Sequence, residues 1–210
     1  MQIEETIASV DELRELYKAP KGVVAEKVID HLDPHSIRFI SLSPFCCIGT
    51  ADAAGNHDVS PRGDLPGFVR VLDESRLLIP DRPGNNRVDS MRNLLEHPRI
   101  GMLFMIPGIW DTLRVNGRAK IFQDADALAE SIVEGGKQPK SGLVVHVEEV
   151  FLHCGRALKR SRIWELETHR QKSDIPPLAE MIRGQIAGED KTLHDELDVL
   201  GEETWMNKLY

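Results

Sequence analysis

The residues from Thr112 to Ile121 constrain the fold more than any other stretch, because apolar and polar positions alternate strictly. Leu113, Val115, Gly117, Ala119 and Ile121 fall on one side of an extended chain, and Thr112, Arg114, Asn116, Arg118 and Lys120 on the other. Such a segment needs a sheet with one face on a core and the other polar or turned to a ligand. The rest of the chain supplies partners for it. Ile100 to Ile106, apolar on both faces, predicts a central strand. Phe45 to Thr50 and His57 to Arg62, around the turn residues Ala54-Gly-Asn56, predict a hairpin. Phe68 to Leu72 and Arg76 to Pro80, around Asp73-Glu-Ser75, predict a second, and Leu143 to Cys154 a last long strand.

Helices are expected between and outside these strands. Ser9 with Glu12 forms a capping-box pattern for a helix through about Lys18, Val23 to Asp30 reads as a second, and His35 to Leu42 as a third. Val88, Met91, Leu94 and Leu95 make a one-sided stripe that Pro98 ends, and Asp124 to Val133 reads as a crossing helix. The fold expected is mainly β with peripheral helices: an antiparallel barrel of about six strands over residues 35–165. A helical segment (1–34) precedes it, and a helical tail (166–210), broken at Pro176-Pro177, packs on the barrel or a dimer partner.

Composition narrows the function. The formal charge of −8 argues against a sequence-independent nucleic-acid binder. Between Arg62 and Lys120, however, ten Lys/Arg face seven Asp/Glu, a local +3 that leaves −11 on the remainder. A small anionic ligand suits that distribution better than a polymer, with a solvated basic face as the alternative. No run reaches membrane-spanning length, and the start Met1-Gln-Ile-Glu-Glu5 is acidic where a secretory signal is basic, so a cytoplasmic protein with no membrane partner is expected. Cys46, Cys47 and Cys154 cannot make a disulfide framework and read as reduced structural thiols, with Cys154 buried. The eight histidines show no paired ligand spacing, and the seven-residue interval between His146 and His153 puts them on opposite faces of a regular strand, so no metal site is expected.

One loop has the chemistry for an anion. Arg82-Pro-Gly-Asn-Asn-Arg87 follows the apolar run Leu77 to Ile79 and opens a helix. Gly84 lets the backbone turn, and Asn86 is a good N-cap with Asp89 in capping-box position. The first N–H groups of the helix, its dipole and the guanidinium groups of Arg82 and Arg87 suit a phosphate monoester; a solvated surface loop is the alternative.

The order Ser60-Pro-Arg-Gly63, hairpin to Ile79-Pro-Asp81, loop Arg82 to Arg87, helix to His97-Pro-Arg99, strand Ile100 to Ile106 and Thr112-Leu-Arg-Val-Asn-Gly-Arg-Ala119 resembles the FMN-binding split-barrel flavoproteins related to pyridoxamine phosphate oxidase. It is closest to their predicted flavin-nucleotide-binding branch, which also ends in an Ala-Leu-Lys-Arg-Ser-like segment before a tryptophan. The resemblance implies a six-stranded split β-barrel, a homodimer, and FMN in grooves at the subunit interface. It assigns the cofactor phosphate to Arg62, Arg82, Asn85, Asn86 and Arg87, and the ring to backbone at Ser60, Pro61, Ile79, Pro80 and Asp81. Thr112 matches a residue at the pyrimidine edge, with Arg114 following on the same face, and Arg160, Ser161 and Trp164 would close over the flavin from the partner subunit, with a helix packing by its tryptophan as the alternative. The Arg-x-His pair that handles the pyridoxal substrate in the oxidases does not occur after Phe151, so the resemblance carries fold and cofactor but not vitamin B6 activity. The expected function is an FMN-dependent oxidoreductase acting on a small molecule, with no catalytic side chain assigned because the flavin does the hydride chemistry. The alternatives are a flavin storage or sensing module, or a relative using a deazaflavin or haem.

Overall fold

The alternating segment is the middle of the architecture. In the computed structural model, which describes residues 6–84, 86–132 and 137–186, strand β6 (Thr112–Phe122) lies between β5 (Arg99–Met105) and β7 (Gly142–His153). With β1 (Phe45–Ala51), β2 (His57–Gly63), β3 (Arg70–Asp73) and β4 (Arg76–Pro80) they form one antiparallel sheet in the order β2-β1-β5-β6-β7-β4-β3. The strands number seven among the described residues rather than about six, and β3 is a four-residue edge strand with a register shift against β4. Phe68 and Val69, expected in that strand, precede it and are buried, because the chain turns at Gly67 with φ 84° and drives both side chains into the core.

The core lies on the concave face of the sheet. Ile48, Leu77, Phe104, Leu113, Val115 and Val145 have no measurable exposure, and Leu32 and Ile40 close one end. Arg114, Arg118 and Lys120 stay exposed, so from Leu113 to Lys120 the alternation in β6 is the alternation of burial, while Thr112 at the strand's start is buried. The sheet curls until its two ends face each other, giving an antiparallel split barrel. Between β2 at one edge and the residues just after β4 near the other, Arg62 pairs with Asp81 and Arg82 with Asp64.

Helices cover the periphery. Helix α1 (Val10–Leu16) starts at Ser9, whose hydroxyl accepts from the Glu12 N–H, and it buries no residue. Helix α2 (Val23–Glu26) stops four residues short of the expected end: Ile29 is drawn into a β-bridge with Val150, and Lys27 donates to the Leu152 carbonyl along the free edge of β7. Helix α3 (Pro34–Leu42) is capped by Asp33. Helix α4 (Asp89–Glu96) packs across β1, β2 and β6. Helix α5 (Ala125–Ala129), capped by Asp124, is shorter than expected, and Val133 lies outside the described residues. Helix α6 (Arg156–Ser161) ends at Arg162 in the left-handed region, and α7 (Leu178–Gln185) follows Pro177. Among the described residues no helix is long and apolar enough to cross a membrane.

A bulge overturns one inference from spacing. Asn116 pairs with Glu149 but Gly117 with Val147, so Glu148 is an extra residue in β7. His146 opposes Arg118 and His153 opposes Thr112, so the two histidines share the polar face rather than lying on opposite ones. Gly117 is required beside the bulge, because a Cβ there would sit 2.1 Å from the His146 carbonyl oxygen. Seven residues of strand still keep the histidines apart, and no metal-binding group of three is present among the described residues.

Candidate functional site

Strand β2 carries a row of polar residues on its core-facing side. Asp58, Ser60 and Arg62 oppose Thr50, Ile48 and Cys46, all three buried, and so point the same way as the core. Asp64 continues the row just past the strand, where its N–H donates to the Pro44 carbonyl. The loop between β4 and α4 lies against this row. At its start, Arg62 Nη1 donates to Asp81 Oδ1 at 3.2 Å, and Arg82 Nε donates to Asp64 Oδ2 at 2.5 Å. Arg82 Nη1 also reaches the Ser131 carbonyl at 2.7 Å, tying the turn after α5 to the same point. At the loop's far end the Asn93 amide donates to Asp58 Oδ2 at 2.9 Å and to the Thr50 hydroxyl at 3.1 Å. Ser60, between the two anchorages, has no side-chain hydrogen bond among the described residues.

The loop itself departs from the expected caps. Helix α4 begins at Asp89, with Val88 as N-cap at φ 38° and no side-chain capping bond. Asn86 is not the cap, because its own backbone is left-handed at φ 60° and an N-cap residue is ordinarily extended. The left-handed turns thus fall on Asn86 and Val88, and Gly84 has no positive φ. Asp89, first in the helix, instead accepts from Arg87 Nε at 2.6 Å. That hydrogen bond, and after it the charges of Asp89 and Asp58, raise the Arg87 pKa above the ordinary arginine value. Asn85 lies outside the described residues.

These contacts sort the expected phosphate ligands. Arg82 is a strut, 16% exposed, whose partner Asp64 is 1% exposed. Arg87 is 78% exposed at the mouth. Arg62 differs from both: its Nε is buried without a hydrogen-bond partner among the described residues. Around the loop the three guanidinium groups face four carboxylates, Asp58, Asp64, Asp81 and Asp89, so the basic excess counted along the sequence does not become a net positive pocket. An anion here would be held by directed donors: Arg62 Nε, the Ser60 hydroxyl and the N–H groups opening α4.

The remaining expected residues lie elsewhere. Ile79 and Pro80 end β4 and pair with Leu143 and Gly142, with Asp81 N–H continuing to the Ser141 carbonyl, while Pro61 is on the outward side of β2. Thr112 and Arg114 flank Leu113, which is three strands from Arg62 by register, about 14 Å across the sheet. Leu113 shares the Arg62 face, so Thr112 and Arg114 point to the other one. Thr112 is buried, and the Arg114 guanidinium stands 5.7 Å from the centre of the Phe151 ring, with Lys27 Nζ 5.4 Å from the same ring. Arg160 and Ser161 are exposed on α6; Ser161 lines a cavity of about 430 Å³ with Ile163, Thr168, His169 and Arg170. Trp164 Nε1 donates to the Ile109 carbonyl at 2.9 Å, which anchors this segment to the β5–β6 loop. Gly155 abuts that loop so closely that a Cβ would lie 2.4 Å from the Trp110 carbonyl oxygen.

The cysteines divide. Cys46 is fully buried, its thiol pushed up to about 12 chiefly by desolvation, and Cys47 is half-buried. Cys154 is exposed, contrary to expectation, because it falls one residue past the end of β7.

An antiparallel split barrel with a polar row and a helix start at its seam defines the structural class. The pyridoxamine 5'-phosphate oxidase family model matches residues 32–154, more than half of the 210-residue chain, and the chain belongs to that family. No curated protein matches the sequence. Similar solved structures include HupZ from Group A Streptococcus, 18% identical over 57% of this chain and 92% of that one, with a TM-score of 0.47. HutZ, the heme storage protein from Vibrio cholerae, is 15% identical over 59% and 94%, with a TM-score of 0.41. An F420 reductase is 14% identical over 58% and 98%, with a TM-score of 0.40. The assignment rests on the sequence match.

The residues missed by sequence reading are Asp58, Asp64, Asn93 and Ser131. The first two had a visible signal, since Asp58-x-Ser60-x-Arg62-x-Asp64 is a polar row at strand period. Asn93 and Ser131 meet it from 35 and 49 residues away from their partners Asp58 and Arg82, and nothing local marks them.

Proposed function

We propose that the chain is an FMN-binding flavoprotein, with the cofactor's phosphate seated over Ser60 and Arg62 beneath the start of α4. The observation that carries this reading is the buried Arg62 Nε with no hydrogen-bond partner among the described residues, in a family that handles phosphorylated ligands. A buried donor left unsatisfied costs about 1–3 kcal/mol, and a phosphate oxygen removes that penalty with a charge-assisted bond. Arg87 at the mouth adds a second guanidinium, and Arg82 holds the loop in shape.

Bound flavin supplies hydride and electron-pair chemistry, so the protein's part is position and field. Thr112 and Arg114 point to the face opposite Arg62, and for that reason we assign them to the flavin of a partner protomer in a homodimer, where Arg114 would favour a reduced, anionic ring. Arg160, Ser161 and Trp164 are assigned to the same partner flavin, over which they would close. The reaction proposed is oxidation or reduction of a small organic molecule.

Purified protein is expected to be yellow, to release about one FMN per chain on denaturation, and to sediment as a dimer. Colourless protein that takes up no added FMN, or one from which extraction and mass spectrometry recover haem or a deazaflavin, contradicts the assignment. Stopped-flow mixing with NADH or NADPH then separates enzyme from store, since a flavin that stays oxidised over minutes indicates a binding module.

A further inference from the structure

The donors that open α4 are useful to an anion only if the helix is fixed over the polar row of β2, and no side-chain cap at its N-terminus contributes to that. Val88, the N-cap, is left-handed and makes no side-chain cap, and Arg87 is exposed. What fixes the helix lies one turn in. Asn93 is 7% exposed, an amide in the interior of an eight-residue helix, and both of its N–H donors are used across the packing boundary: one on Thr50 of β1 and one on Asp58 of β2. Asp58 is two residues from Ser60 and four from Arg62 on the same face. The bond therefore sets the distance between the helix start and the row in which Ser60 and Arg62 sit. The apolar contacts of α4, with Leu94 buried and Met91 partly so, hold the helix on the sheet without setting its position along it.

We propose that Asn93 is a positioning residue for phosphate recognition, locking α4 to β2 through Asp58 so that the open N–H groups at Asp89 and Ser90 meet the same anion as Ser60 and Arg62. The assignment rests on the FMN reading above and extends it to specificity: Asn93 distinguishes phosphorylated from unphosphorylated flavin without touching either. Asp58 serves as an acceptor in this arrangement and its charge opposes the anion, so an amide at that position keeps the lock and removes the repulsion.

The test compares FMN with riboflavin, binding each to apoprotein by fluorescence quenching. Asn93→Ala is expected to weaken FMN by about tenfold and leave riboflavin unchanged, and Thr50→Val, which removes one of the two anchors, to give a smaller loss for FMN alone. Asp58→Asn is expected to bind FMN at least as tightly as the parent protein. Equal losses for both flavins in Asn93→Ala and Thr50→Val would make Asn93 a mere core residue, and unchanged FMN affinity in both would remove it from recognition; either overturns the proposal. Should Asn93→Ala fail to fold, Thr50→Val and Asp58→Asn decide alone. Parent protein that binds neither flavin defeats the FMN reading itself, a result distinct from all of these.

Discussion

The seam between β2 and the loop before α4, and the segment from Gly155 to Arg170, are both rich in arginine, and the chain uses the residues in opposite ways. At the seam Arg62 and Arg82 are 21% and 16% exposed, each is held by a carboxylate on the facing element, and the Arg62 Nε is buried with no partner among the described residues. In the second segment Arg156, Arg160 and Arg170 are exposed, while Arg162 pairs with its near neighbours Glu165 and Glu167. Charge of one sign is thus a poor guide to a site. Burial decides, because a desolvated guanidinium must be satisfied by fixed partners, whereas an exposed one is satisfied by water.

That contrast can be broken by substitution. The largest effect is expected for Arg82→Ala, which takes the guanidinium away from the buried Asp64 carboxylate: breaking a buried pair costs about 3–5 kcal/mol, so the Tm should fall by roughly 10 °C. A loss of only a degree or two would place Arg82 with the exposed arginines. Next comes Arg62→Ala, which removes the buried donor; FMN affinity should drop by about a hundredfold and riboflavin far less. Arg87→Ala, at the exposed mouth, should weaken FMN by about tenfold with Tm unchanged. The smallest effect belongs to Arg160→Ala on α6. If that helix covers the ring rather than the phosphate, FMN and riboflavin should both weaken by about threefold, measured in the same titration. A loss confined to FMN would move α6 to the phosphate end and erase the distinction between the two regions.

Legibility in the sequence followed the range of the interaction involved. The β6 strand was visible because its alternation is local and matches burial from Leu113 to Lys120. The loop Arg82 to Arg87 could be located, since a strand end and an apolar helical stripe bracket it. Its conformation could not: an αL turn at Val88 is a poor choice for a β-branched residue, and nothing local announces it. The roles of Arg82 and Arg62 were indistinguishable in sequence because they depend on Asp64 and Asp81, 18 and 19 residues away, and on which nitrogen finds a partner. The face of His153 was misread for a different reason. A single inserted residue at Glu148 resets the parity of the strand, and no motif announces it.

The central claim is that the seam between β2 and α4 holds a phosphate through Arg62. Parallel titrations of apoprotein with FMN and riboflavin, for the parent chain and Arg62→Ala, test it most directly. The account predicts one FMN per chain, a clear preference for FMN over riboflavin, and the disappearance of that preference in the variant. Equal affinity for the two flavins in the parent chain, or a preference that survives the substitution, would contradict it.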